Sequence, residues 1–394
     1  MAKGKQYKIL IGAGGTGGHI FPAIALAKKF KSDGHNVLIV GTGNALEKKI
    51  FAQYDIETVF FKNRFQDTSG LKKYSVALTK PDLELRRYVA ELSPQLILGM
   101  GGYASFDLCK TAYYLQTIEG DFPGNAIMPY LAIHEQNAKA GRANRYIATT
   151  QARGIIEGLP GGFDWKTTFF LLSTDDHVFL GNPIRDEILN INRIVRSFPD
   201  KSKKPRIFIM GGSQGARSIN KTVPKAISLL MKDHPVEVIH DSGEKDFEAV
   251  KNQYSEFGID AKITRFDANI EKAYEWADLL IGRAGAMTVS EASAIGLPSI
   301  LIPFPHAMDN HQWFNAQFLA KKGGAEVILD KDLKPDILAH TIKRIFEEEN
   351  RFSEMSKAAL DQTFVNATQN IAQFCYKMIE QPPLKDLSKW GCKC

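Results

Sequence analysis

The feature that most limits how this chain can fold is one local event that occurs twice. A short apolar run, Lys8-Ile9-Leu10-Ile11, stops at Gly12-Ala13-Gly14-Gly15-Thr16-Gly17-Gly18-His19 and resumes as a helical pattern from Ile20, with Pro22 in its first turn. A second run, Ile207-Phe208-Ile209-Met210, stops at Gly211-Gly212-Ser213-Gln214-Gly215, about half of the 394 residues further on, and again leads into a helical pattern. A strand that meets glycine and turns straight into a helix is the opening unit of a doubly wound parallel sheet. Downstream of each turn, apolar runs alternate with amphipathic stretches: 37–40 and 96–98 in the first half, then 236–239, 279–281 and 299–302 in the second. That alternation predicts an α/β chain of two Rossmann-like domains facing across a cleft. The expected divisions are 1–188, a polar linker over 189–205, and 206–394, with the last helical segment returning to the first domain.

Composition excludes several classes. At 44% hydrophobic residues the chain is too apolar for disorder, and no run of about eighteen apolar residues offers a membrane-spanning helix. The N-terminus runs directly into the first strand pattern and leaves no room for a signal peptide, so a cytoplasmic protein is expected. The net charge of +6 is a mild bias, and no basic run with interleaved aromatics calls for a nucleic acid. Cys109, Cys375, Cys392 and Cys394 are too few for a disulfide framework, and Cys392-x-Cys394 lacks the second pair of a zinc site.

The glycine turns read as phosphate sites. Gly12-x-Gly14-x-x-Gly17 matches the dinucleotide fingerprint, but Val40-Gly41-Thr42-Gly43 stands where a ribose-holding carboxylate belongs, which argues against NAD. What remains is a set of bare amides at a helix start, suited to a phosphate or diphosphate, or a tight turn with no ligand. Gly99-Met100-Gly101-Gly102-Tyr103 follows another strand and brings a second bare backbone near the same sheet edge. Together these loops can cradle one anionic ligand while Gly211–Gly215 serves another in the opposite half, which suggests a nucleotide on one side and a phosphorylated acceptor on the other, its diphosphate held by Gly14, Gly15, Gly101, Gly102 and Tyr103. His19 stands where the first glycine turn becomes a helix; a helix N-terminus disfavours the imidazolium, so this ring can accept a proton or position a substrate.

Residues 282–298 read Gly-Arg-Ala-Gly-Ala-Met-Thr-Val-Ser-Glu-Ala-Ser-Ala-Ile-Gly-Leu-Pro, and a strand later Pro-Phe-Pro-His-Ala-Met-Asp-Asn-His-Gln-Trp-Phe-Asn follows. Together with Gly14–His19, His134-Glu135-Gln136-Asn137, Gly181-Asn182-Pro183-Ile184-Arg185 and Gly212–Gly215, this order of motifs closely resembles the MurG family of peptidoglycan N-acetylglucosaminyltransferases. The resemblance covers about 8–104, 132–145 and 181–330. It implies the GT-B fold and an inverting transfer from UDP-N-acetylglucosamine to lipid I without cofactor or obligatory metal. It also implies peripheral attachment to the cytoplasmic face of the inner membrane, where other cell-wall and division proteins are possible partners. Carried over by position, the donor contacts are Thr16, Gly17, Gly18, Asn137, Arg185, Ser213, Ala286, Met287, Thr288, Val289, Ser290, Glu291, Gln312 and Asn315, with the backbone near Asp267 bracketing the uracil. The catalytic candidates are His19 and, behind it, Glu135.

Several of these residues carry a second reading. Thr288-Val-Ser-Glu291 is also a capping box, Ser213 can close its own turn, and Arg185 can be a solvated surface residue. Asp330-x-Asp332 imitates a metal-binding pair but reads better as a helix cap. Leu85, Tyr88, Val89 and Leu92 keep helical spacing and are expected to pack on the sheet, leaving 71–80 to meet the membrane. The chain departs from the family at Phe106-Asp107-Leu108-Cys109 and over 110–131 and 146–180, and the tail 381–394 has no assigned role. Two other functions stay open: a UDP-N-acetylglucosamine epimerase on the same fold, and a non-catalytic sugar-nucleotide-binding protein.

Overall fold

The computed structural model describes residues 5–62, 64–65, 76, 79–117, 129–150, 152–163, 177–192, 195–196, 203–211, 216–265, 269–348 and 350–380. Among them the first sheet is built from β1 (Lys8–Gly12), β2 (Asn36–Gly41), β3 (Glu57–Phe60), β4 (Leu96–Gly99), β5 (Tyr130–Glu135), β6 (Gly154–Glu157) and β7 (His177–Phe179). Its spatial order is β3-β2-β1-β4-β5-β6-β7, with every pair parallel. The second sheet contains β8 (Arg206–Met210), β9 (Glu237–Asp241), β10 (Lys262–Thr264), β11 (Leu279–Gly282), β12 (Ser299–Leu301) and β13 (Ala325–Val327), ordered β10-β9-β8-β11-β12-β13 and again parallel.

The order reverses between β1 and β4 and between β8 and β11, which is where an open parallel sheet leaves a crevice at the carboxyl ends of its strands. The first glycine turn leaves from β1, and the glycines at 212–215 that follow β8 in sequence lie outside the described residues. β1 and β4 end side by side at Gly12 and Gly99. A Cβ on Gly12 would lie 2.9 Å from Ser105 Cβ, and one on Gly99 would lie 2.4 Å from Cys109 Sγ. Bare backbone there lets the helix Gly102–Thr117 press onto the strand ends. Phe106, Leu108 and Cys109 are buried in that contact, so the stretch that departs from the family pattern is core. Burial pushes the Cys109 and Cys375 thiols up to about 12, leaving them inert.

The helix Leu83–Leu92 buries Leu85 and Val89, with Tyr88 and Leu92 against the same core, as its spacing predicts. The membrane-facing segment expected at 71–80 lies outside the described residues except for Val76, Thr79 and Lys80; Val76 is partly buried against that core. No helix among the described residues is long and apolar enough to cross a membrane.

The chain ends its described course on the half where it began. In the helix Gln362–Glu380, Ile371, Ala372, Cys375 and Met378 share a core with Ile9, Ile11 and Ile24. A Cβ on Gly154 would meet Met378 Sδ at 2.5 Å, and Tyr376 donates its hydroxyl to Asp33 Oδ2 at 2.7 Å. The described part of the predicted linker is also tied down. The Arg196 guanidinium donates to the carbonyls of Tyr274 and Ala277, and its amide donates to Ser356 Oγ at 2.8 Å.

Candidate functional site

His19 is held on three sides. Its Nδ1 lies 2.9 Å from the Met100 carbonyl, which can only accept, so Nδ1 carries the proton and Nε2 keeps its lone pair. Gly101 and Gly102, at φ +91° and +70°, form the wall behind the ring: added Cβ atoms would stand 3.1 Å from His19 Cε1 and 3.2 Å from Nε2. The pKa of His19 is lowered chiefly by burial and slightly by His311, while Glu135 and the Met100 hydrogen bond oppose the shift. The neutral ring expected from the sequence agrees with this direction, and loss of water on burial is its chief cause.

The turn that carries His19 is fixed by a residue the sequence reading missed. Glu47 is fully buried, and its carboxylate accepts at 2.7 Å from the amides of Gly15, Thr42 and Gly43, the Thr42 hydroxyl and Asn44 Nδ2. A carboxylate therefore does stand at the end of β2, folded back on its own chain. It takes the Gly15 amide that was a candidate for the acceptor diphosphate. Asn44-x-x-Glu47 is a capping-box pattern, with Glu47 N donating to Asn44 Oδ1 at 2.9 Å, and that was the available signal. Pro22 is the sixth residue of the helix Gly17–Ser32 rather than part of its first turn, because the helix begins within the glycines.

Glu135 is equally committed. Oε1 accepts from the amide and side chain of Asn137 at 3.0 and 3.1 Å, and Oε2 from Gly141 N and Asn144 Nδ2 at 3.1 and 2.9 Å. Asn137 in turn accepts from Asn315 Nδ2 at 3.0 Å. Asn315, expected at the donor, is fully buried and joins the two halves: Oδ1 accepts from Ala138 N at 2.9 Å, and Nδ2 also donates to Ala284 O at 3.1 Å. Nearby, Arg145 donates to Asp309 at 3.0 Å, and Lys139 sits 4.8 Å over the Phe314 ring. Asp309 and Asn310 both adopt positive φ, +52° and +57°, a strained run for residues other than glycine.

On the second half, the helix Ala286–Ile295 begins after Gly285 with no side-chain cap and no acidic residue in its first turn. Glu291 is its sixth residue, so the capping-box reading of Thr288–Glu291 does not hold. Instead Glu291 Oε1 accepts from Arg185 at 2.9 Å and Oε2 from the hydroxyl of fully buried Tyr274 at 3.0 Å. Arg185 is no free surface residue: its guanidinium lies 4.6 Å over the Phe21 ring, and its charge is reinforced by Glu291 against the cost of burial. Ala286, Met287 and Thr288 stand at the open helix start, whereas Val289 and Ser290 point inward; Ser290 Oγ accepts from Asn182 at 2.9 Å. Gln312 Oε1 accepts from Phe304 N at 2.9 Å.

Asp330 caps no helix. Its carboxylate accepts from Arg283 at 2.5 Å and Ser218 at 2.6 Å, and the next helix, Pro335–Glu347, follows Lys334. Ser213 and Asp267 lie outside the described residues, as does the side chain of Tyr103. Sequence reasoning also passed over Tyr274, Phe21 and the Arg145–Asp309 pair. Each acts through a neighbour that only the fold supplies.

Two doubly wound parallel sheets, with a histidine-bearing glycine turn on one and an uncapped helix start on the other, have the two-domain architecture of the GT-B fold. The glycosyltransferase family 28 N-terminal domain matches residues 9–155 and the family 28 C-terminal domain residues 206–372. The chain belongs to glycosyltransferase family 28. It is 35% identical over 374 residues to the UDP-N-acetylglucosamine--N-acetylmuramyl-(pentapeptide) pyrophosphoryl-undecaprenol N-acetylglucosamine transferase of Dechloromonas aromatica, covering 93% of this chain and 97% of that one. Among solved structures it resembles Acinetobacter baumannii MurG, with TM-score 0.73, 27% identity, 94% of this chain and 100% of the other. The UDP-GlcNAc 2-epimerase of Neisseria meningitidis shares the fold alone, with TM-score 0.64, 12% identity, and 94% and 100% covered.

Proposed function

We propose that this glycosyltransferase moves N-acetylglucosamine from UDP-N-acetylglucosamine to the 4-hydroxyl of the N-acetylmuramyl unit of lipid I, giving lipid II for peptidoglycan. The observation that carries the reading is His19: a neutral ring with Nδ1 tied to Met100 O and Nε2 left to accept a proton, set in a glycine turn at the crevice of the first sheet. Nε2 takes the proton of the acceptor hydroxyl as its oxygen attacks the anomeric carbon. The bond from that carbon to the diphosphate breaks on the opposite face, UDP leaves, and the configuration inverts. Glu135 does not take the proton; it orders Asn137 and Asn144 and adds a negative field that steadies His19 as it becomes charged.

On the donor side, the amides of Ala286, Met287 and Thr288 receive the diphosphate, supported by the helix dipole there. Glu291 accepts the ribose hydroxyls on lone pairs that Arg185 and Tyr274 leave free, and Arg185 turns between carboxylate and phosphate. Ser213 meets a phosphate, the backbone at Asp267 brackets the uracil, and Gln312 meets the sugar. Asn137 and Asn315 close the two halves over it. Thr16, Gly17 and Gly18, with Gly14, Gly101, Gly102 and Tyr103, face the acceptor diphosphate and the transferred sugar. The acceptor is lipid-linked, so the chain works as a peripheral protein on the cytoplasmic face of the inner membrane, beside other cell-wall and division proteins.

The test is to incubate the protein with labelled UDP-N-acetylglucosamine and a short-chain lipid I analogue in EDTA. Label is expected in the lipid product only when acceptor is present. Tight binding of the donor without transfer, or its conversion to an epimer, would overturn the proposal.

A further inference from the structure

Gly18 immediately precedes His19, and its carbonyl faces a gap in the helix. In Gly17–Ser32 that oxygen should accept from the amide four residues on, but the residue there is Pro22, which has none. The side chain of Gln136 fills the gap, Nε2 donating to Gly18 O at 2.6 Å. Gln136 is 4% exposed, so no solvent would replace that donor freely. Its own backbone carbonyl accepts from Asn182 Nδ2 at 3.0 Å, and the same amide group donates to Ser290 Oγ at 2.9 Å. Ser290 lies in the helix Ala286–Ile295, next to Glu291.

We infer that Gln136 is a positioning residue for His19: it supplies the hydrogen bond that Pro22 withholds and, through Asn182, joins the turn bearing His19 to the donor-side helix. The inference rests on the reading of His19 as the base. Without the Gln136 donor, Gly18 O is a part-buried acceptor that has lost its protein partner. The first turn of the helix then relaxes, and His19 slips from Met100 O and from the wall of Gly101 and Gly102. The chain of bonds from Gly18 through Gln136 and Asn182 to Ser290 is also a route by which a donor seated at Glu291 steadies the base. The titratable groups that face His19 are Glu135, His134 and His311.

Gln136→Met keeps the length of the side chain and removes the donor. In the full chain labelled at histidine nitrogen, the NMR titration of His19 is expected to move up toward the ordinary 6.5. In the transfer assay, kcat is expected to fall about 10- to 100-fold, with KM for UDP-N-acetylglucosamine within about twofold. The double variant Pro22→Ala/Gln136→Met returns an amide to the helix and is expected to restore both readings; it also covers the case in which Gln136→Met alone folds poorly. An unchanged His19 titration in Gln136→Met, or no recovery in the double variant, overturns the inference. The titration needs no substrate. Absence of transfer by the unaltered protein would therefore count against the functional reading and leave this one to be decided by the ring.

Discussion

Five donors converge on the buried Glu47 carboxylate, three of them backbone amides from two separate loops. A single side chain thus sets the shape of the turn that carries His19 and pins the end of β2 to it. Glu47→Gln would turn an amino group toward donors that need an acceptor. The variant is expected to lose about 2–3 kcal/mol of stability in urea unfolding, with the slope of the transition unchanged. Equal stability would mean that the turn is held by its glycines alone. His19 shows the same principle in reverse. Its environment removes water faster than Glu135 and Met100 O add stabilisation to the charged form, so the ring rests neutral.

The helix Ala286–Ile295 works because its neighbour Ile270–Trp276 brings Tyr274 beneath it. The Tyr274 hydroxyl holds one oxygen of Glu291 while Arg185 holds the other, so the carboxylate has one orientation. Tyr274→Phe is expected to raise KM for UDP-N-acetylglucosamine about 5- to 10-fold with kcat within about twofold, measured by steady-state transfer. A matching fall in kcat would place Tyr274 in the chemical step instead. At this scale the sequence was readable wherever one chain segment decides its own structure. The strands at 9–12, 96–99 and 279–282 are uninterrupted apolar runs ending in glycine, and the stripe Leu85, Tyr88, Val89, Leu92 buries as its spacing requires. It was unreadable where a local motif loses to a distant partner. Thr288–Glu291 has the letters of a capping box, but Gly285 starts the helix and Tyr274 and Arg185 claim the carboxylate. Asp330 has the place of a cap, but Arg283 and Ser218 reach it first. Asn315 carries, besides its expected place at the donor, a role in joining the halves that no local pattern shows, because its partners Ala138 and Asn137 lie 177 and 178 residues away.

The two halves are joined by a shared apolar core, in which Ala138, Leu159, Ile184 and Ile188 pack with Tyr274, Val289 and Ala292, and by polar groups around it. Asn315, the Asn182–Ser290 bond, the Arg145–Asp309 pair and the Lys139–Phe314 contact cross from one half to the other, and the helix Gln362–Glu380 returns to pack on the first. Two fully buried histidines make the fold sensitive to acid. Burial lowers His134 to about 4 and His240 to about 3; the latter is also bonded to Tyr254 and Asn220. Their folded pKa values lie below the unfolded value near 6.5, so the unfolded chain takes up protons that the folded chain refuses. Stability is therefore complete above about pH 6.5 and is lost as pH falls through 6.5 toward 4. Urea unfolding between pH 7.5 and 4.5 is expected to show this decline, and a flat profile would mean that both rings meet water in the native state.

The proposed transfer depends on one base in one crevice. The direct measurement is single-turnover transfer to a lipid I analogue across pH 5–9, by the unaltered protein and by His19→Gln. The unaltered protein is expected to show an acid limb below the ordinary histidine value of 6.5. The variant is expected to lose that limb and at least about 100-fold in rate. A variant that kept both the rate and the limb would contradict the assignment of the base, and with it the mechanism built on the glycine turn.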